Sequence, residues 1–252
     1  MRYEMIEKMK HDSLGNRMKM YENTYRYHLL RKVPVIVRVD GRAFHSLTRH
    51  MSKPFDPGFM DSMISAAIHT AEGMQGFKLG YVQSDESSFL LHDFDHDETE
   101  AWFDYNINKV VSISASTMSV YFNLALSRYT QDFGSLGVFD GRSHNIPNED
   151  TPNYFFWRYQ DCKRNSLQMY CQSFFSHKQL HGKGWSDQHV MLHGIGKNWT
   201  TGLSWREKNG TFIFPGGKTS NDFVNPNYYD IDYMQIDKWI NKNPFKVEAS
   251  NG

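Results

Sequence analysis

"VIVRVDG", residues 35–41, decides how the rest of this chain is read. Side chains alternate across an extended strand, so Val35, Val37 and Val39 share one face while Ile36, Arg38 and Asp40 share the other. Pro34 stops whatever precedes the run, and Asp40-Gly41 closes it. Upstream, residues 1–30 read as one or two amphipathic helices, interrupted at Gly15-Asn16, with Tyr21, Tyr25 and Leu29 at helical spacing. Downstream, "PFDPGFMDSMISAAIHTAEGM" (54–74) starts a helix at Asp56-Pro57, puts Met60, Met63, Ile64, Ala67, Ile68 and Ala71 on one stripe, and stops at Gly73. Two extended runs, "FKLGYVQ" (77–83) and "SSFLLHDF" (87–94), flank "SDE" (84–86), which predicts a tight hairpin with two acids at its tip. A second helix is expected from about Ala101 to Leu126, with Val110, Ile113, Thr117, Val120, Tyr121 and Leu124 inward, followed by an extended run in "LGVFDGRSHNIP" (136–147).

Strand, helix, hairpin, helix, strand is the split βαβ order of ferredoxin-like domains and polymerase palms. The expected class is α+β: an antiparallel sheet with helices on one face, the other face open to a substrate. Residues 1–150 would form this palm-like region with its N-terminal helical segment. Residues 151–252 would form a mostly helical region packed on it, with a β-hairpin in "SWREKNGTFIF" (204–214) turning at Asn209-Gly210.

Composition is that of a globular protein: 39% hydrophobic, 15% aromatic, and 28 basic against 28 acidic residues. Net charge therefore names no partner, and a polyanion would have to meet a local cluster of Lys and Arg. Arg26, Arg31, Lys32, Lys163 and Arg164 are candidates for such a surface. Cys162 and Cys171 lie too far apart along one helix for a disulfide, which favours a reducing compartment. The first thirty residues contain neither a secretory signal nor a membrane span, so a cytoplasmic protein away from membranes is expected.

If the palm order holds, the hairpin lies beside the first strand and brings Asp85 to Asp40. Two adjacent carboxylates repel unless a cation separates them, and an all-oxygen donor set favours Mg²⁺. A pair of such ions serves phosphoryl transfer. Gly41 lets the backbone approach a ligand, the main-chain N–H groups of Arg42, Ala43, Phe44 and His45 could cradle a triphosphate, and Lys53 and Lys109 could reach its oxygens. A strand-ending turn and a solvated hairpin tip would leave the same pattern.

"RVDGRAFH", "KPFD", "GYVQSDESSFLL" and "YFFWRYQDCKRNSLQMYCQSFFSHKQLHGK" resemble the tRNA-histidine guanylyltransferase family over roughly residues 30 to 215. The resemblance implies two Mg²⁺ held by Asp40, the Gly41 carbonyl and Asp85, with Glu86, Ser84 and Lys109 around the nucleotide. It implies 3′-to-5′ chemistry in two in-line steps: ATP or GTP activates a tRNA 5′-monophosphate, and the 3′-hydroxyl of an incoming nucleotide then attacks the activated phosphate. Homotetramers are typical of the family. Members that add guanosine to histidine tRNA without a template carry a "HINNLYN"-type stretch where this chain has "CKRNSLQMY" (162–170), which looks like the branch that adds nucleotides opposite a template and repairs 5′-truncated tRNAs. Asn106 also stands where some members have a basic residue.

On a helix from Tyr154 to about Phe174, Arg158, Asp161, Asn165, Gln168 and Gln172 make a polar stripe that could meet RNA backbone, a subunit or solvent. His177/His181 and His189/His193 are i,i+4 pairs of the kind that bind zinc, without a nearby Cys or a following Glu. Lys178, His181 and Lys183 better suit tRNA phosphates or the ordering of a loop, and Arg38, Arg158, Arg164 and Asn165 are further candidates for tRNA. The expected function is a Mg²⁺-dependent nucleotidyltransferase with GTP and ATP as substrates, acting on tRNA. Guanosine addition to histidine tRNA, a tRNA-binding protein without chemistry and a nucleotide cyclase are the competing readings.

Overall fold

The computed structural model describes residues 2–96, 98–130, 135–222, 231–242 and 244, with side chains from residue 13 onward. Six strands form one antiparallel sheet: β1 (Val35–Gly41), β2 (Phe77–Gln83), β3 (Glu86–Leu91), β4 (Phe139–Asn145), β5 (Thr211–Phe214) and β6 (Lys218–Thr219), in the order β4-β1-β3-β2-β5-β6. The first four strands have the ferredoxin-like order, with β1 between β3 and β4. The helices are α1 (Arg2–Asn23), α2 (Phe44–Leu47), α3 (Pro57–Glu72), α4 (Ile107–Leu126), α5 (Thr151–Gln172), α6 (His177–Leu180), α7 (Trp185–Gly194), α8 (Trp199–Gly202), α9 (Trp205–Asn209) and α10 (Tyr233–Asn241).

The valine face of β1 packs with α3 and α4 in one core that includes Met63, Ala67, Phe89, Val110, Met118 and Phe122. Ile36, Leu79, Tyr81 and Leu90 point the other way into a second core with Tyr154, Phe155 and Tyr159 of α5 and Ile236 and Trp239 of α10. The palm's own helices thus share one face, while the second face is roofed by the C-terminal helices. Arg38 and Asp40, where β1 turns polar, are partly exposed, and Asp140, Arg142 and His144 of the edge strand β4 are exposed beside them. A third cluster, Leu167, Tyr170, Cys171, Leu180, Leu192 and Trp199, holds α6 to α8 against the end of α5. Both cysteines are buried and free of a disulfide.

Four expectations are corrected. α1 runs unbroken through Gly15 and ends at Asn23, leaving Tyr21 and Tyr25 exposed. α4 starts at Ile107, not Ala101: Phe103, Asp104 and Tyr105 have positive φ, and the Asn106 side chain accepts the Lys109 N–H at 3.1 Å as an N-cap. Its inward face is Val110, Ser114, Met118 and Phe122, whereas Ile113, Val120, Tyr121 and Leu124 are exposed. Close approach decides this: β4 crosses α4 at Gly141, where a Cβ would lie 3.0 Å from the Val111 carbonyl oxygen. Lastly, Asn209-Gly210 is a helix end rather than a hairpin turn. Ser204 and Glu207 cap the start of α9 reciprocally, and Gly210, at φ 68°, ends it before β5. The hairpin lies one strand later, between β5 and β6.

Candidate active site

Strand register builds the site. Asp40 of β1 stands opposite Glu86 of β3 and Asp140 of β4, and Arg38 stands opposite Ser88 and Arg142. Directly opposed residues share a face, so an acidic row, Asp140–Asp40–Glu86, runs beside a basic one, Arg142–Arg38. Arg38 Nη2 lies 2.5 Å from Glu86 Oε2 and 3.4 Å from Asp40 Oδ2. Arg142 Nη2 lies 3.1 Å from Asp140 and 3.9 Å from Asp40. Asp140 and Arg142 were not singled out from the sequence, although their i,i+2 spacing in "FDGRSHN" mirrors that of Arg38 and Asp40.

The turn after β2 is Ser84-Asp85, with Ser84 at φ 47°, so Glu86 belongs to β3 rather than the tip. The Gly41 N–H donates to the Asp85 carbonyl at 3.0 Å, tying the end of β1 to the turn. Asp85 accepts from Ser84 Oγ at 3.1 Å. Burial raises its pKa, and the neighbouring Asp40 charge adds to the rise. The Asp40 charge is thus felt at Asp85, and carboxylate and carbonyl oxygens are the donor chemistry that suits a hard dication sharing its shell with phosphate and water. Among the described residues, no three His, Cys, Asp or Glu side chains gather as a metal site, either at the histidine pairs or around Asp40 and Asp85. His181 lies beyond the end of α6, and its ring is 6.4 Å from that of His177.

The triphosphate cradle is shorter than expected. The Gly41 N–H is taken by Asp85 and the Arg42 N–H by the Val138 carbonyl at 2.8 Å, leaving Ala43, Phe44 and His45. Ala43 has φ 55° and turns the chain into α2. The Phe44 side chain is core: its ring packs at 5.0 to 6.0 Å from those of Phe59, Phe122 and Phe139. A Cβ on Gly41 would fall 2.4 Å from that ring, which is why glycine stands beside the acid. Lys53 and Ser84 line one cleft with Gln83, Asn165 and Arg206, between the 48–56 segment, the turn and α5. Lys53 Nζ donates to the Thr48 carbonyl at 2.9 Å. Lys109 Nζ sits 5.7 Å from the Phe103 ring centroid at the start of α4.

Glu86 and Arg158 depart from the roles expected of them. Arg158, placed on an RNA-facing stripe, is only 4% exposed. Its Nη1 lies 3.1 Å from Glu86 Oε2, its Nη2 2.5 Å from Asp161 Oδ2, and its guanidinium 3.9 Å from the Trp157 ring centroid. These contacts withhold it from a phosphate. Glu86 is buried, and burial raises its pKa against the lowering pull of Arg158 and Arg38. Arg164 is exposed and pairs with Asp161 at 2.7 Å. Lys178, His181 and Lys183 are exposed around α6, outside the cleft.

A family model described as tRNAHis guanylyltransferase matches residues 15–147. An uncharacterized protein of Acanthamoeba polyphaga mimivirus is 28% identical over 193 residues, covering 68% of this chain and 66% of its own length. Alignments to curated or probable tRNA(His) guanylyltransferases span 45% to 56% of those proteins, so this chain matches about half of their length. Among solved structures, a bacterial tRNA(His) guanylyltransferase-like protein in complex with ATP superposes with a TM-score of 0.82 at 35% identity, covering 90% of this chain and 99% of that one. A bacterial counterpart in complex with GTP superposes with a TM-score of 0.68 at 34% identity, covering 82% and 88%.

Proposed function

This chain belongs to the tRNA(His) guanylyltransferase family, and from that premise we propose that it adds nucleotides to the 5′ end of a tRNA, in the 3′-to-5′ direction and opposite a template. The observation that supports the reading is the main-chain bond from the Gly41 N–H to the Asp85 carbonyl, which brings the residue after Asp40 to the turn that carries Asp85. Asp40, the Gly41 carbonyl and Asp85 are the residues that would hold Mg²⁺, which when bound polarises phosphate oxygens and makes a hydroxyl a better nucleophile.

The chain's own part is positioning. In-line phosphoryl transfer needs the attacking and leaving oxygens aligned and their charge countered. Lys53 and Lys109 would supply cations, the Ala43–His45 backbone and the Arg42 guanidinium would supply donors, and Ser84 stands at the cleft with a hydroxyl already shared with Asp85. The cleft lined by Lys53 and Ser84 is the place proposed for the rest of the nucleotide, and the bacterial relatives bound to ATP and to GTP favour either as substrate. Arg164, Asn165, Lys178, His181 and Lys183 are the side chains proposed to meet tRNA phosphates, whereas Arg38, expected among them, is engaged by Glu86 and Asp40. Template-directed addition rests on the "CKRNSLQMY" stretch and on the extent of the likeness to the bacterial proteins. A homotetramer in the cytoplasm completes the reading. Among the described residues no helix is long and apolar enough to cross a membrane.

The test supplies a 5′-labelled truncated tRNA and, in parallel, a full-length histidine tRNA, with Mg²⁺ and all four nucleoside triphosphates. Extension of the truncated tRNA is the expected outcome. Extension of histidine tRNA alone would make it a dedicated guanylyltransferase, and Mg²⁺-independent binding without extension would make it a binding protein.

A further inference from the structure

We propose that Glu86 is a positioning residue, not a metal ligand: it draws the Arg38 guanidinium away from Asp40, and Arg158 of α5 locks Glu86 in that place. The proposal rests on Asp40 being the cation ligand of the functional reading above.

Arg38 and Asp40 lie two apart on one face of β1, where an arginine can neutralise the acid and exclude a cation. The distances show which acid it prefers, 2.5 Å to Glu86 Oε2 against 3.4 Å to Asp40 Oδ2. Glu86 is able to win this competition because it is held: Arg158 Nη1 contacts both its oxygens, at 3.1 and 3.4 Å. Arg158 is in turn fixed by Asp161 and by the Trp157 ring. Arg38 and Arg158 both bury an Nε that has no hydrogen-bond partner, so each guanidinium is committed through its outer nitrogens. On β4, Arg142 is closer to Asp140 than to Asp40. The charges therefore pair off around Glu86 and Asp140, and Asp40 and Asp85 keep the negative charge a dication requires. A carboxylate on β3 is needed, yet it need never touch the ion.

The proposal predicts that removing Glu86 harms the site because it releases Arg38. The measurement is Mn²⁺ binding to the nucleotide-free full chain, followed by electron paramagnetic resonance of the free ion. Glu86→Gln is expected to weaken Mn²⁺ binding by about tenfold or more, as a positive charge closes on Asp40. The double variant Glu86→Gln/Arg38→Gln, whose net charge equals that of the wild type, is expected to return to within about threefold of it, the single changes being coupled through contact. Arg158→Met, which frees Glu86 without removing it, is expected to fall between the two. Persistent weakening in the double variant would identify Glu86 as a ligand and overturn the proposal. Should Glu86→Gln fail to fold by circular dichroism, the folded double variant is compared with Arg38→Gln alone: equal Mn²⁺ binding by the two is expected, and weaker binding by the double variant identifies Glu86 as a ligand and overturns the proposal. Asp40→Asn separates the two readings: Mn²⁺ binding that is insensitive to it defeats the functional reading and this proposal together, whereas loss of binding there with no rescue by Arg38→Gln defeats this proposal alone.

Discussion

Asp40 and Asp85 each bring an oxygen charge to the end of β1 that no close partner neutralises as completely as Arg158 and Arg38 neutralise Glu86. Asp40→Asn and Asp85→Asn are each expected to lower nucleotide addition at least about 100-fold while leaving far-ultraviolet circular dichroism unchanged, as read in single-turnover assays on labelled RNA. A second prediction concerns His92, whose ring is buried against Phe94, with Nε2 unpartnered. Burial, then the Lys78 charge, lowers its pKa from 6.5 to about 4. The unfolded chain takes up a proton below pH 6.5 that the folded chain refuses until about pH 4, so this contribution to stability is complete above 6.5 and is lost as pH falls through that window. His92→Phe should therefore flatten the pH dependence of urea unfolding between those values, by up to about 3 kcal/mol. Residues differ in how far sequence reveals them. Asp40 was legible because alternation alone puts it on the non-valine face. The duty of Glu86 was not, because its partner lies 72 positions away on a helix whose stripe reads as polar and solvated.

The helices and turns show where local pattern suffices and where it fails. Asp56 caps α3 by accepting the Phe59 N–H at 2.9 Å, and Gly73 ends it, as the sequence signals predict. The α4 face was misread because apolar character at Ile113, Val120 and Leu124 competes with the small residues that let β4 come close, and only tertiary packing arbitrates. Met118→Ala is accordingly expected to cost about 2 to 5 kcal/mol, and Val120→Ser within about 0.5 kcal/mol of neutral, compared by urea denaturation of the two variants. Asn209-Gly210 was misread because a turn glycine and a helix-ending glycine look alike in sequence. At Gly210 a Cβ would lie 2.6 Å from both Tyr81 Oη and the Val82 carbonyl, on a backbone at φ 68°. Gly210→Ala is expected to cost about 2 kcal/mol or more, visible as a lower midpoint with an unchanged slope.

At the scale of the whole molecule, one sheet serves two cores. The β1 valines bind it to the palm helices, while Ile36 and its neighbours bind it to α5 and α10. Trp239 closes the second core, 5.0 Å from Phe212 and 5.4 Å from Phe214, so Trp239→Ala is expected to cost about 3 to 5 kcal/mol and to lower the temperature of a single calorimetric transition. The ferredoxin-like order could be read from element succession, whereas the roof over the second face could not, because helices joined to the palm only through sequence leave no local trace of the face they choose. The ring of Phe44, wedged under Gly41 among Phe59, Phe122 and Phe139, ties the loop bearing the proposed ligands to the aromatic cluster of the first core. Warmth cannot then loosen that loop by itself, and activity lost on heating should follow the melting curve of the entire chain rather than run ahead of it.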